Sequence, residues 1–241
     1  MHFAERILMK RYTHLIWDFN GTLLDDVQAC IKSANSLLAA HGLPLLQSEE
    51  QYRSLFGFPI VDYYRRLGFD FEKLPYADLA VEWVAYYLEH SKDARLYPDV
   101  IGALETARDL GFSQLILSAT ELGMLERQVV SLGIRPYFNE LLGLENIQAH
   151  SKEAIGLAWH RNHPDARVLY IGDTDHDAQV AAAMGADCIL LSCGHQSRTA
   201  LEACPALFIA DSLSEVFTGD LLKAPYPLDL KATPRNSRLS S

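Results

Sequence analysis

Several groups capable of chemistry fall at comparable places in this chain, each where an apolar run stops. Asp18 ends the run Leu15-Ile16-Trp17, Ser118 follows Leu115-Ile116-Leu117, and Asp173 follows Leu169-Tyr170-Ile171-Gly172 with Asp177 four residues beyond. Lys152 opens a helical stretch after the short apolar segment Leu141 to Leu144. Such runs read as buried strands closed by turn signals, and open α/β sheets bind their ligands at the carboxyl ends of their strands. A carboxylate there can act as a nucleophile or hold a hard cation. A lysine and a hydroxyl can grip an anion. Taken singly, each has a plainer explanation. A serine after a strand commonly caps a helix, an acid at a helix start complements the dipole, and a first-turn lysine is usually solvated.

The elements that must position these groups are legible from periodicity. Val27 to Ala40 has apolar residues at helical spacing and stops at His41-Gly42. Ser48-Glu49-Glu50 starts a second helix that Gly57-Phe58-Pro59 breaks, a third runs from Pro59 to Leu67, and a fourth from Pro75 to about Ser91. Residues 26–92 are thus expected to be helical, without a strand. From Tyr97-Pro98 onward, helix and strand alternate, the signature of βαβ units and a parallel sheet. Helices are expected over Val100 to Leu110, Glu121 to Leu132, Ser151 to His163 and Asp177 to Met184. Strands are expected over Ser113 to Leu117, Leu141 to Leu144, Arg167 to Ile171, Cys188 to Leu191 and Leu207 to Ile209, with short helices after the last two. The expected organisation is an α/β core from residues 1–25 and 93–222, a helical cap from 26–92, and a disordered tail over 223–241. A helical insert just after the first strand would sit over the carboxyl ends of the sheet, where a lid belongs.

Composition narrows the partners. Of 241 residues, 49% are hydrophobic and 22% charged, as in an ordinary globular protein, and the formal net charge is −10. That field repels nucleic acid and anionic membranes, and no apolar run is long enough to span a bilayer. An anionic substrate must therefore be captured by local groups: a metal, backbone N–H donors or a lysine. Cys30, Cys188, Cys193 and Cys204 show no metal-site or disulfide spacing, so a reducing, cytoplasmic setting is expected.

As an ordered set, the motifs Asp18-Phe19-Asn20-Gly21-Thr22, Ser118, Lys152 and Gly172-Asp173-Thr174-Asp175-His176-Asp177 resemble the four motifs of the haloacid dehalogenase-like (HAD) superfamily, over roughly residues 12–215. The insert, the Phe56-Gly57-Phe58-Pro59 turn and the Tyr97-Pro98-Asp99-Val100 re-entry resemble its phosphoglycolate-phosphatase-like members. The resemblance implies a Rossmann-type doubly wound parallel sheet with an inserted α-helical cap, and a phosphatase of small phosphorylated metabolites, monomeric or homodimeric. It implies Asp18 as nucleophile, Ser118, the N–H of Ala119 and Lys152 as phosphate ligands beside Gly21 and Thr22, and Mg²⁺ held by Asp18, the carbonyl of Asn20 and Asp173. Asp177 would orient a metal-bound water.

One position departs from the pattern. The superfamily's second acidic residue serves as general acid and base, and here Asn20 stands in its place. An amide has no proton to exchange in that role, and such catalysis is worth roughly 10²–10⁴ in rate. Three outcomes stay open. Either His176, Asp25, Asp26 or the substrate substitutes for the acid; or the protein is a slow or specialised hydrolase or phosphotransferase; or it binds a phosphorylated metabolite without turning it over. Among lesser candidates, Gly194-His195-Gln196 reads better as a turn than as a site wall. Arg53, Arg65 and Arg66 read as solvated cap charges, and His160 and His163 have no partner spaced to complete a zinc site.

Overall fold

The computed structural model describes residues 12–145 and 151–218; the tail expected over 223–241 lies outside them. Strand β1 (His14–Trp17) is followed by the two-residue β2 (Leu24–Asp25), then helices α1 (Val27–Ala40), α2 (Glu49–Leu55), α3 (Ile60–Arg66) and α4 (Tyr76–His90). The chain returns through β3 (Arg95–Leu96) and continues α5 (Val100–Asp109), β4 (Ser113–Glu121), α6 (Leu122–Ser131), β5 (Glu140–Leu144), α7 (Lys152–Asn162), β6 (Val168–Gly172), α8 (Asp175–Ala183), β7 (Asp187–Leu191), α9 (Arg198–Leu201), β8 (Phe208–Ala210) and α10 (Leu213–Thr218).

The main sheet has six parallel strands in the order β5-β4-β1-β6-β7-β8. Leu15, Ile16 and Trp17 are all fully buried because both faces of the sheet are covered, which explains a continuous apolar run in place of alternation. Leu15 and Trp17 pack with Ile116, Leu169, Ile171 and Ile189 against α5, α6 and α10. Ile16 points the other way, with Leu115, Leu117, Tyr170 and Leu190, against α7, α8 and α9. The buried Trp17 indole donates to Gln114 Oε1 at 3.1 Å, and Gln114 Nε2 donates to the Leu104 carbonyl, so this core polar pair is satisfied.

Between β2 and β3 the chain is helical, and the four helices enclose a separate core rich in large side chains: Leu37, Leu38, Tyr52, Tyr63, Tyr64, Leu79 and Tyr87. The β2–β3 ladder, which pairs Leu24 with Leu96 and Asp25 with Arg95, ties both ends of this insertion together. Two residues a side is too short to leave a periodicity that the chain could be read for. No helix among the described residues is long and apolar enough to cross a membrane.

Two expected boundaries move, and both bear on the site. β4 does not stop at Leu117 but runs to Glu121, with Ser118 inside it. Its register against β5 slips, Leu117 pairing with Leu142 and Glu121 with Leu144, so two extra residues are accommodated on β4. Bulges of this kind re-aim side chains at the ends of strands. Helix α8 begins at Asp175, two residues before the expected start, because Thr174 caps it and Asp177 closes a capping box with Thr174.

Candidate functional site

The sheet order places β1 between β4 and β6, and the carboxyl ends of these three strands converge where the chain's winding direction reverses. A ligand crevice forms at such a point in open α/β sheets. Asp18 leaves β1, Ser118 lies in the β4 bulge, Asp173 follows β6, and Lys152 is the first residue of α7. The structure brings Asp18, Asp173 and Asp177 together with carboxylate oxygens within 4.8 Å of one another. All three are buried, as are Ser118 and Lys152, with Asp18 the most accessible of the acids at 7%.

Each acid is oriented differently. Asp173 Oδ1 accepts from the Thr22 hydroxyl at 2.9 Å, and Oδ2 accepts from the His195 backbone N–H at 2.7 Å. Asp177 Oδ2 accepts from the N–H of Asp173 and from the N–H and hydroxyl of Thr174. Its Oδ1 accepts from Lys152 Nζ at 2.5 Å and from the Tyr170 hydroxyl at 3.3 Å. With both oxygens engaged by protein donors, Asp177 does double duty: it caps α8, as the plainer sequence explanation required, and it holds Lys152. Lys152 also donates to Asp18 Oδ1. A cation on the first turn of a helix opposes the dipole, and these two carboxylates fix it there.

The charges do not balance. Burial pushes the Asp18 carboxyl well above the usual range, and repulsion from Asp177 and Asp173 adds to this against the pull of Lys152. Burial and Asp177 likewise push Asp173 up to about 6, although His195 and the Thr22 hydroxyl favour its ionised form. Burial opposes charge on Lys152 too, but Asp177 and Asp18 outweigh it and hold the ammonium well above its ordinary value. Three buried carboxylates facing one ammonium constitute an oxygen-rich, net-negative pocket, and a divalent cation with oxygen preference would neutralise it. Asp18 and Asp173 are the side chains whose oxygens could hold it.

Glycines clear the space. Gly21 has φ +73°, and a Cβ there would overlap Asp173 Oδ2 and lie 2.5 Å from His195 Cδ2. A Cβ on Gly194 would overlap the same carboxylate. Gly194→Ala is therefore expected to displace Asp173 and weaken any divalent-cation binding by roughly tenfold or more, on the scale of losses from altered metal-site surroundings. Isothermal titration of Mg²⁺ into the variant checks this, with a circular dichroism melt to confirm folding.

The other expected site residues are placed as follows. Thr22 is fully buried and its hydroxyl faces Asp173. Gly21 N–H donates to the Leu24 carbonyl and to Asp26 Oδ1. Ser118 Oγ accepts from the Thr120 N–H at 3.1 Å, while Ala119 is exposed on the outside of the bulge. The Asn20 side chain is bonded to Thr120, Asp26 and Tyr87. Of the possible substitutes for an acid at position 20, Asp25 is exposed and His176 is half-buried under Phe58, ring centroids 4.6 Å apart. Burial, then Lys152, lowers the His176 pKa.

The Ser192–Ser197 turn contributes more than its sequence promised. His195 is 4% exposed and lies under the cap, its Nδ1 2.9 Å from the Tyr52 hydroxyl. Its Nε2 lies 3.2 Å from Asp26 Oδ1, off a hydrogen-bonding direction, so the contact is one of charge. The same turn anchors Arg53, whose guanidinium donates to the carbonyls of Ser192 and Cys193 at 2.8 and 2.7 Å. Arg53 thus clasps the cap to the core and is not a solvated charge, whereas Arg65 is exposed beside Asp62. The available signal was position: Gly194-His195 follows β7 as Asp173 follows β6.

Burial tends to lower the His195 pKa, but Asp26, then Asp173, outweigh it and push it up to about 9. A group whose pKa rises on folding contributes stability that is complete below its unfolded value, near 6.5, and lost as pH rises through its folded one. Stability should accordingly fall by on the order of 2–3 kcal/mol between about pH 6.5 and 9 through this group. His195→Gln should flatten that part of a pH series of urea denaturations.

Comparison with known proteins accords with this geometry. Residues 15–191 match the model of the family described as haloacid dehalogenase-like hydrolase. A phosphoglycolate phosphatase of Rhodobacter capsulatus is 29% identical over 197 residues, covering 79% of this chain and 89% of the relative. One of Vibrio parahaemolyticus is 25% identical over 214 residues, covering 84% and 93%. Among solved structures, a haloacid dehalogenase-like family hydrolase from Streptococcus pneumoniae superposes with TM-score 0.74 at 20% identity, covering 87% of this chain and 98% of its own.

Proposed function

This chain belongs to the haloacid dehalogenase-like hydrolase family, and on that premise we propose that it is a Mg²⁺-dependent phosphatase that hydrolyses a small phosphorylated metabolite through an aspartyl-phosphate on Asp18. The observation that carries this is the convergence of Asp18, Asp173 and Asp177 on one buried point, with Lys152 bonded to two of them.

Phosphoryl transfer asks chiefly for an in-line nucleophile and for neutral surroundings at the equatorial oxygens. An Asp18 oxygen attacks phosphorus, an oxygen–phosphorus bond forms on Asp18, and the bond to the leaving oxygen breaks with its electron pair. Lys152 would trade its carboxylate partners for phosphate oxygens, with the Ser118 hydroxyl and the Ala119 N–H as the further donors this reading assigns. Water then attacks phosphorus, the Asp18–phosphorus link breaks, and the carboxylate is returned with inorganic phosphate. Asp18, Asp173 and the main-chain carbonyl of Asn20 would hold Mg²⁺, whereas Asp177, expected from the sequence to orient a bound water, has both oxygens taken by protein donors and instead fixes Lys152 and the Asp173 N–H beside the site. A cation held there would supply charge neutralisation for the transferring group.

Asn20 bears on the rate of both steps. Its amide neither protonates the leaving oxygen nor accepts a proton from water, which favours leaving groups that depart without a proton, acyl phosphates above all. Phosphoglycolate is the first alkyl phosphate to try, since two of the relatives named above are phosphoglycolate phosphatases. The test is turnover of p-nitrophenyl phosphate and acetyl phosphate with and without Mg²⁺. Mg²⁺-dependent release of phosphate from either supports the assignment. Protein that binds Mg²⁺ and turns over neither would instead be a phosphate- or metabolite-binding member of the family.

A further inference from the structure

Asp26, Tyr87 and Thr120 take no part in the steps above, yet all three grip Asn20. Asn20 Nδ2 donates to Asp26 Oδ2 at 2.7 Å and to the Tyr87 hydroxyl at 2.8 Å, and its Oδ1 accepts from the Thr120 hydroxyl at 2.8 Å. Tyr87 in turn donates to Asp26 Oδ2 at 2.8 Å. Asp26 is 1% exposed, and its Oδ1 accepts from the Gly21 N–H at 3.0 Å and faces His195 Nε2. The orientation of the amide follows from its partners. A carboxylate can only accept, so the NH₂ group faces Asp26, and the carbonyl oxygen takes the Thr120 proton.

This arrangement disfavours an ionised acid at position 20. In the same pose, an aspartate would set two carboxylate oxygens 2.7 Å apart at a part-buried contact, where like charges repel, and it would deprive Asp26 of a donor. The buried carboxylate of this pair stands at position 26, six residues along the chain, and the amide at 20 is its complement.

We propose that Asn20 and Asp26 are an exchanged pair, in which Asp26 is a positioning residue that holds the Asn20 amide, and with it the catalytic loop, in register for phosphoryl transfer. The functional part of this rests on the phosphatase assignment; the pairing itself does not. It follows that restoring an acid at 20 alone misplaces it, whereas restoring it with an amide at 26 rebuilds the same hydrogen bonds with donor and acceptor swapped.

The test is a double-mutant cycle on the full chain: wild type, N20D, D26N and N20D/D26N, each melted and each assayed for kcat and KM on acetyl phosphate and on phosphoglycolate. N20D is expected to melt below wild type with no gain in kcat. D26N should lower kcat with KM little changed, because the amide loses its charged acceptor. The double variant should melt above N20D and exceed it in kcat on phosphoglycolate by on the order of 10²-fold, the scale of a recovered acid–base group. A split confined to kcat is not what general loss of structure produces. The pairing is overturned if N20D alone matches the double variant in kcat, or if the melting shifts of the two single changes simply add. Should no variant, wild type included, turn over any phosphate, the phosphatase assignment fails and the melting cycle still decides the pairing.

Discussion

Asp18→Asn is expected to abolish turnover while leaving the protein at least as stable as before. On the proposed mechanism this change removes the nucleophile and with it the covalent route, and comparable losses elsewhere cost on the order of 10⁴–10⁶ in kcat. The fold should not suffer, because Asp18 is an acid held against its preference: burial pushes its carboxyl up, and two further carboxylates repel it. Lys152 keeps a partner in Asp177 at 2.5 Å. An amide at 18 relieves part of that repulsion, and a gain of roughly 1 kcal/mol is expected in the absence of metal. Parallel urea denaturation and acetyl phosphate turnover check both halves. Retained activity in a cleanly folded Asp18→Asn protein would remove Asp18 from the mechanism.

Lys152→Met should do the reverse and damage both stability and function. The ammonium is the cation that Asp18 and Asp177 both contact. Its removal leaves buried carboxylates without their partner, a change that typically costs about 3–5 kcal/mol. The loss should be partly recovered by Mg²⁺, since a divalent cation neutralises the same cluster, and this sets the site apart from an ordinary buried ion pair. Denaturation with and without saturating Mg²⁺ measures it. If Mg²⁺ stabilises wild type and Lys152→Met equally, Lys152 and the cation do not share the job of neutralisation.

Much of this molecule could be read from the chain because its signals are local. Ser48 and Ser151 cap the helices that follow them, and the run Leu15-Ile16-Trp17 announces a strand buried on both faces. Asp18, Ser118, Lys152 and Asp173 could be picked out because each sits one or two residues from such a signal. The β4 bulge escaped because a register slip depends on the neighbouring strand, and nothing in Ser118-Ala119-Thr120 itself records that β5 is two residues shorter across the same span. His195 was visible by position, but its turn residues gave no hint that a backbone N–H would orient Asp173.

The sequence alone determined the kind of chemistry: an acid at the end of a buried strand, an ordered set of motifs around it, and an amide where a second acid is expected. What position 20 is bonded to was decided only by tertiary structure. Tyr87 and Thr120 are 67 and 100 residues from Asn20 in the chain, and no periodicity links them. Even Asp26, six residues away, reads as one of two adjacent acids at a helix start. Folding placed its carboxylate against the amide, and buried hydrogen bonds must be satisfied by whatever the packing brings within reach. The physical reason for the division is range: propensity, capping and burial pattern act over a few residues, whereas electrostatic complementarity in a buried site belongs to the assembled fold.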